Sequence, residues 1–555
     1  MNHRILPDLL YFTAKEFPQH GIGFIQPDKS IIFVTYPELL EKSLRILNGL
    51  QEQGMQAGDR MILSLETSQE TITSIWACFL GGMIPVLLQP PLSFSDYNPA
   101  GVKAEKVFHI LENPYVIISH RHYSNWVQSR IPKSNLVNVS QLEKGSGIPV
   151  IPDINSEDPA LIQFSSGSTG DPKGVILTHR NILSNVLDII DGIRLTPEDV
   201  SVSWMPLYHD MGLIGFHITP TLVGCQQYFI DPVDFVKNPS LWLDNLSEKR
   251  CNITGCPNFG QALVNRYVGR KKNPDWDFSS VRVIFNGAEP ISTSVMREFT
   301  SNLSEFGLRS VSMFPAYGLA EATLAVTFAP LEKEAEVIRF QRIPLIRDGF
   351  ALPAEADDDN VIELVNLGNH LTNCTIRIIG DDGNEVPQGS IGSVHVQGDN
   401  VSSGYYKNNE ATLQTFSDGW LHTGDLGFIF NGNLFIMGRL KDVIFINGIN
   451  FYAHDLESIA LALEGIIPGK LVITAYFDEK EGRDKLLVFL VGSDNETTRI
   501  LFARIKMHLM QTLGLNADTC IPIRSNDIPR TSSGKIQRYK MVNRFLQGEF
   551  TVVKL

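Results

Sequence analysis

Hydroxyls, backbone N–H groups and a positive charge stand together in the stretch Phe164-Ser-Ser-Gly-Ser-Thr-Gly-Asp-Pro-Lys-Gly174. Gly167, Gly170 and Gly174 let the backbone approach a ligand closely. Ser165, Ser166, Ser168 and Thr169 supply hydroxyls, and Lys173 supplies the cation. That set suits a polyphosphate. Apolar runs flank it (Ala160-Leu-Ile-Gln163 and Val175-Ile-Leu177), so the stretch reads as a strand, a loop, then a strand or helix start. A Gly/Ser loop alone equally describes a plain surface connection. The lysine and proline at fixed places, and the motifs that follow in order, separate the two readings. A Walker A loop is excluded, because Lys173 follows Pro172 and precedes Gly174. So is a G-x-S-x-G nucleophile elbow.

Further along, Trp204-Met-Pro-Leu-Tyr-His-Asp-Met-Gly-Leu-Ile-Gly215 ends an apolar run in a His209–Asp210 pair, with Gly212 and Gly215 able to bend the chain around a cavity. A plain hydrogen-bonded pair is the alternative. Val281-Arg-Val-Ile-Phe-Asn-Gly-Ala-Glu-Pro290 reads as a strand running into a turn at Asn286 and Gly287. In Ser312-Met-Phe-Pro-Ala-Tyr-Gly-Leu-Ala-Glu-Ala-Thr323, Tyr317 offers a ring on which a purine can stack and Gly318 allows close packing. Glu321 is a hard oxygen ligand suited to Mg²⁺, or else a solvated helix-start carboxylate. Asp425 lies in a Thr-Gly-Asp turn, where an Asx-turn is the simpler role. Lys535, on Ile528-Pro-Arg-Thr-Ser-Ser-Gly-Lys-Ile-Gln-Arg538, would by itself be a solvated lysine.

The chain that must position these groups has 555 residues, too many for one compact core, so a large domain and a smaller one are expected. Apolar content of 43% and charged content of 19% are ordinary for a soluble globular protein. A net charge of −14 without a basic run argues against nucleic acid as a partner, while a local site can still hold ATP. No signal-peptide pattern opens the chain. The longest apolar stretch, residues 75–88, is broken by Gly81, Gly82 and Pro85 and reads as buried core rather than a membrane span. Six cysteines without a C-x-x-C pair predict reduced thiols in a cytoplasmic protein. Leu39, Leu40, Leu44, Leu47 and Leu50 recur at helical spacing, and short apolar strands follow at residues 61–65 and 85–88. This alternation predicts the α/β class: a large N-terminal domain of α/β layers with parallel strands. A helix is expected from His179 to Gly192, and its start adds a dipole to anion binding. Residues 375–398 predict a hairpin in a β-rich subdomain. Residues 443–555 predict a small α+β C-terminal domain with helices at 454–464 and 496–513 and strands at 471–477 and 485–491. Residues 331–367, with the acidic run Glu355-Ala-Asp-Asp-Asp-Asn360, read as an exposed loop or hairpin.

The ordered series resembles the adenylate-forming superfamily over residues 30–545, and within it the fatty acyl-AMP ligases. The resemblance implies an enzyme that activates a fatty acid with ATP and Mg²⁺ as acyl-AMP, then passes the acyl group to a separate acyl carrier protein or a carrier domain of a polyketide or peptide synthase. A fatty acyl-CoA synthetase, with CoA as acceptor, is the alternative. By the same resemblance, Ser165–Gly170 and Lys173 hold phosphates, and Asn286, Gly287, Ala288, Glu289, Tyr317 and Gly318 surround the adenine. Asp425 takes the ribose hydroxyls and Arg439 lies near ribose and phosphate. His209 and Asp210 border the reacting carboxylate, with Met211, Gly212 and Ile214 along the acyl tunnel. Thr169 assists Glu321 at the metal, and Lys535 is the catalytic lysine. Residues 1–438 form the large domain, residues 439–442 the hinge with Lys441 and Asp442 at the pivot, and residues 443–555 a mobile lid. The 331–367 segment matches an insertion that disfavours CoA. Asn447, where relatives often carry Arg, and Tyr452-Ala-His-Asp455 depart from the family pattern and bear on the second half-reaction.

Overall fold

Runs of Val, Ile and Phe too short for helices become parallel strands covered on both faces, as such composition favours. The structure is a computed structural model and describes residues 4–95, 98–145, 147–165, 171–269, 275–446, 449–479, 481, 483–530 and 536–553. Among these, nine strands form one sheet in the order Asn369–His370, Ala325–Phe328, Met313–Gly318, Val283–Asn286, Ile253–Gly255, Val200–Ser203, Gln226–Ile230, Gly21–Ile25, Ile31–Thr35. The strands from Met313–Gly318 through Gly21–Ile25 run parallel, and antiparallel strands close both edges. Ile84–Leu87, Arg60–Ser64, Tyr115–Ile118 and Leu136–Asn138 form a second, parallel sheet. Ile75 to Leu80 end the helix Gln69–Leu80 and are fully enclosed, which is why that stretch is apolar on every side. No described helix is long and apolar enough to cross a membrane. All six cysteines are buried and free.

Helix starts follow local chemistry. Thr35 and Glu38 make a capping box before Tyr36–Glu52, and Thr178 and Asn181 make one before His179–Ile193. The segment after Asp210 winds more widely, as a π-helix over Met211–Ile218. A buried polar network holds it. Trp76 Nε1 donates to His217 Nε2 at 2.9 Å, and His217 Nδ1 faces Gln227 Oε1 at 3.1 Å. One ring nitrogen therefore accepts and the other donates, so His217 is neutral. Burial pushes its pKa down to about 4, in the same sense. Gln227 Nε2 donates in turn to Tyr36 Oη and Thr221 Oγ1 (2.8 and 2.9 Å).

The strands Cys374–Ile379, Gly392–Gly398, Trp420–Phe430 and Asn433–Arg439, with Phe416–Ser417, make the expected β-rich antiparallel sheet. After a short turn at Leu440–Asp442, residues 444–553 have a core of their own that includes Leu456, Ile473, Val488, Phe502, Ile505 and Leu509. The helices Ala453–Leu461 and Glu496–Leu513 and the strands Leu471–Asp478 and Arg483–Val491 stand close to their expected places.

Residues 331–367 are a folded bridge rather than a loose loop. Strands Val337–Gln341 and Val361–Val365 pair antiparallel, and the helix Arg342–Arg347 follows the first. Phe340, Leu345, Ile362 and Leu364 pack with Phe428, Phe435 and Met437 of the β-rich sheet and with Tyr452 of the C-terminal unit. The acidic run at 355–360 stays largely exposed, and its charge hid the apolar alternation on either side. Arg342 pairs with Asp455 of the C-terminal unit, both buried. Burial pushes the Asp455 carboxyl upward and Arg342 opposes it.

Arg342→Ala leaves a buried carboxyl without its counter-charge, and a loss of about 3–5 kcal/mol is expected in chemical denaturation. The double change Arg342→Met with Asp455→Leu should recover most of that loss. Equal losses in the single and double variants would show that packing, not charge, sets the contribution.

Candidate active site

The hydroxyl- and glycine-rich stretch opens a hairpin. Pro159–Ser165 pairs antiparallel with Lys173–Thr178, placing Phe164 opposite Gly174 and Ser165 opposite Lys173. Ser166, Gly167, Ser168, Thr169 and Gly170 lie outside the described residues, as do Asn447 and Lys535, and Ser165 is described through its backbone alone. Lys173 Nζ stands 5.0 Å from the centre of the Tyr405 ring, a cation–π distance. Backbone pairing puts Tyr405 there: Ile176 N donates to Gly404 O at 3.1 Å and Tyr406 N to Gly174 O at 2.7 Å. The Tyr405 hydroxyl donates to Glu321 Oε1 at 2.8 Å.

A second triad mirrors the first. The Tyr317 hydroxyl donates to Asp425 Oδ2 at 2.6 Å, and Arg439 Nε meets Asp425 Oδ1 at 2.7 Å. Asp425 and Arg439 are cross-strand partners, so sheet register sets their meeting. Arg439 Nη1 also donates to Thr423 O at 3.1 Å. Burial, then the neighbouring carboxylate, pushes both phenols upward, so Tyr317 and Tyr405 keep their protons and act as donors. Each Asp425 oxygen therefore holds one protein partner and keeps lone-pair capacity for another. Gly318 is required by sterics, because a Cβ there would run into the Leu324 carbonyl.

Gly287, Ala288 and Glu289 form a wall at the end of the strand Val283–Asn286. Ala288 takes a φ of +68°, a conformation that non-glycine residues adopt at a cost and that clusters at binding sites. Phe259 N donates to Glu289 Oε1 at 3.3 Å. Asn286 is fully buried behind this wall, and its side-chain amide has no hydrogen-bond partner among the described residues. It supports the wall rather than lining the cavity.

Both triads, this wall and the His209 segment face one cavity of about 1280 Å³. Its apolar end is lined by Ile189, Met211, Phe216, Phe285, Leu324 and Phe328. His209 and Asp210 stand between the ends, with His209 Nδ1 at 2.5 Å from Asp210 Oδ1. Asp210 Oδ1 also accepts from Met211 N at 2.7 Å, which starts the π-helix. Gly212 and Ile214 are not on the lining: Gly212 lies against the Pro206 backbone and Ile214 is buried in the core. The wider winding turns Met211, Gly215 and Phe216 to the cavity instead. The C-terminal unit closes the polar end through Arg530, Ile536 and Arg538, and Arg538 is held by Glu457 at 2.7 Å. Lys441 and Asp442 line it too, and burial, then Arg439, lowers the Lys441 pKa.

A cavity with an anion-suited end, a ring and carboxylate clamp, and an apolar extension is built to join a nucleotide to a small acid. The AMP-binding enzyme family model matches residues 14–406. The chain belongs to the AMP-binding enzyme family. This AMP-binding enzyme is 29% identical over 573 residues to the medium-chain-fatty-acid–[acyl-carrier-protein] ligase JamA of Moorena producens, covering 98% of this chain and 95% of that protein. It is similar, with a TM-score of 0.91 and 29% identity over 99% of both chains, to a structure from work on fatty acyl-adenylate ligases of E. coli and L. pneumophila. It is also similar to McyG A-PCP complexed with phenylalanyl-adenylate, with a TM-score of 0.88 and 32% identity over 99% of this chain and 84% of that one.

Tyr405 and Gln163 were not legible as site residues of this AMP-binding enzyme. Gly404-Tyr-Tyr406 stands in plain view in the sequence, but only folding brings residue 405 to residue 321. Gln163 sits within an apolar run, lines the cavity and donates to Tyr208 O at 2.9 Å, tying the hairpin to the His209 segment. Tyr317→Phe removes the hydroxyl from Asp425 and is expected to raise KM for ATP about tenfold, with KM for the acid unchanged, in a pyrophosphate-release assay. An unchanged KM for ATP would separate Tyr317–Asp425 from nucleotide binding.

Proposed function

We propose that this AMP-binding enzyme activates a fatty acid with ATP to acyl-adenylate, releases pyrophosphate, and passes the acyl group to the phosphopantetheine thiol of a separate acyl carrier protein or carrier domain. The observation that carries the reading is the single cavity whose polar end bears Lys173, Glu321, Tyr317, Asp425 and Arg439 and whose other end is apolar. The purine stacks by Tyr317 and the 287–289 wall, Asp425 and Arg439 take the ribose, and Lys173 with Ser165–Gly170 takes the phosphates. The acid enters with its carboxylate beside His209 and its chain along Met211 and Phe216. A carboxylate oxygen forms a bond to the α-phosphorus, the bond to the bridging oxygen breaks, and pyrophosphate leaves with that electron pair. Lys535 stabilises the charge at the reacting oxygens. Its support is that Arg530 and Ile536, on either side of residues 531–535, both border the cavity.

Glu321 fits a Mg²⁺ ligand, and Thr169 is the hydroxyl assigned to assist it. Among the described residues no group of three or more His, Cys, Asp or Glu gathers as a metal site, and only Oε1 of Glu321 is engaged. One carboxylate plus phosphate oxygens is the usual Mg²⁺ environment. When bound there, the ion neutralises charge on the phosphates.

For transfer, residues 443–555 act as a lid that pivots at 439–442, about Lys441 and Asp442. The bridge at 331–367 holds that lid through the Arg342–Asp455 pair and the packing around Phe340 and Tyr452. A carrier protein brings a surface of its own that can offset those interactions, which supports the carrier as acceptor. Six buried free thiols suit a cytoplasmic setting.

Purified protein incubated with ATP, Mg²⁺ and a medium-chain fatty acid, with and without CoA, tests the proposal. Acyl-AMP should accumulate and persist when CoA is added, and be consumed by a phosphopantetheinylated carrier protein. Rapid formation of acyl-CoA would make CoA the acceptor. Lys535→Ala should lower acyl-AMP formation by about 10²-fold or more, and near-normal rates would remove Lys535 from the chemistry.

A further inference from the structure

One titratable ring at the polar end of the cavity has no role in adenylation or in the pivot of the lid. His454 stands at the start of the helix Ala453–Leu461 and lines the same cavity as Asp425 and Arg439. Helical spacing places Glu457, Ser458 and Leu461 after it on the cavity side of that helix. The ring lies against the strand end that bears the Asp425–Arg439 clamp. A Cβ built on Gly438, the residue before Arg439, would stand 3.5 Å from both Cε1 and Nδ1 of His454. Tyr452 packs beside it, with ring centroids 6.2 Å apart. Tyr452 is itself buried in the core shared with the 331–367 bridge, so a fixed backbone delivers the imidazole to the clamp.

Neither ring nitrogen of His454 has a hydrogen-bond partner among the described residues. Burial, then the Arg538 charge, pushes its pKa down to about 4, so the ring is neutral near pH 7 and offers one N–H donor and one acceptor. The guanidinium groups around it are already directed elsewhere. Arg538 is held by Glu457 at 2.7 Å and donates Nε to Ile473 O at 3.3 Å. Arg439 meets Asp425 through Nε and Thr423 O through Nη1. Each Asp425 oxygen can accept one more donor, which suits a pair of sugar hydroxyls. A hydroxyl that donates to Asp425 still presents lone pairs that need a donor of their own. A neutral imidazole N–H supplies one, whereas an imidazolium would add positive charge beside Arg538.

We propose that His454 is a further positioning residue for the nucleotide: it donates to a ribose hydroxyl that Asp425 holds as acceptor, so the C-terminal unit completes the ribose site. The inference rests on the reading of Asp425 as the ribose partner. His454→Phe, which keeps a ring and removes both nitrogens, and His454→Gln, which keeps a donor and an acceptor, test it in the full chain. Binding of ATP, 2′-deoxy-ATP and 3′-deoxy-ATP is read by calorimetry, KM values by pyrophosphate release, and stability by thermal melting without nucleotide. His454→Phe should weaken ATP binding about fivefold and leave KM for the fatty acid unchanged. The preference for ATP over one of the two deoxy forms should shrink by the same factor in His454→Phe. His454→Gln should restore most of the ATP affinity. That preference compares ligands on one protein, so it decides the matter even if His454→Phe melts at a lower temperature. ATP affinity within twofold of the parent in His454→Phe, or an equal loss for ATP and both deoxy forms, would reduce His454 to packing against Gly438 and overturn the proposal. Calorimetry reads ATP without any acid, so a parent that binds ATP yet activates no fatty acid counts against the ligase reading alone.

Discussion

The carboxylate of Asp425 ties the end of the large sheet to the β-rich sheet at the entry to the C-terminal unit. It lies in the β-rich sheet, accepts the hydroxyl of Tyr317 from the end of the large sheet, and meets Arg439, the last residue before the turn into the C-terminal unit. Little water reaches it, so breaking the Arg439 contact leaves an unbalanced charge and breaking the Tyr317 contact leaves a carboxylate oxygen without its donor. Tyr317 is followed by a register irregularity at Gly318 and the short turn that carries Glu321. Glu321 takes the Tyr405 hydroxyl, and the Tyr405 ring lies under Lys173. Asp425, Tyr317, Glu321, Tyr405 and Lys173 thus stand along one wall of the cavity, linked in part by direct contacts.

The apolar half of the cavity depends on a different restraint. A π-helix is a costly winding that persists where surroundings hold it. Here a fully buried, neutral network from Trp76 through His217 and Gln227 to Tyr36 holds it from behind, while Met211 and Phe216 face the cavity. Such a network specifies one arrangement, because any shift leaves a polar group unpaired away from water. The shape of the apolar end is therefore held by hydrogen bonds that lie behind its lining.

The 331–367 segment shows how composition can mislead. Its glutamates and aspartates describe an exposed loop or hairpin; the strands do pair as a hairpin and the acidic run is outside, but much of the rest is buried. Yet Phe340, Leu345, Ile362 and Leu364, on the strands and helix that flank the acidic run, fill a core shared by the β-rich sheet and the C-terminal unit. The acidic residues lie in the connection between the helix and the second strand, and an average over the segment blends that connection with the apolar elements beside it. The same bridge brings Arg342 to Asp455 across 113 residues of sequence.

By itself, the sequence determined the class of fold, the order of its main elements and several of the polar residues that line the cavity. Short β-branched runs between amphipathic helices leave few alternatives to parallel α/β layers, and glycine, lysine and acidic residues at fixed local spacings declare their chemistry within one turn or loop. Only the tertiary structure decided what these residues touch. It placed Asn286 behind the wall and Ile214 in the core, gave Asp425 two protein partners, and brought Tyr405 to Glu321, Arg342 to Asp455 and His454 to Gly438. The reason is physical: such contacts join residues that share no periodicity. Sheet register, the direction of each strand and the packing of separate layers select them, and these become definite only once the whole core has closed.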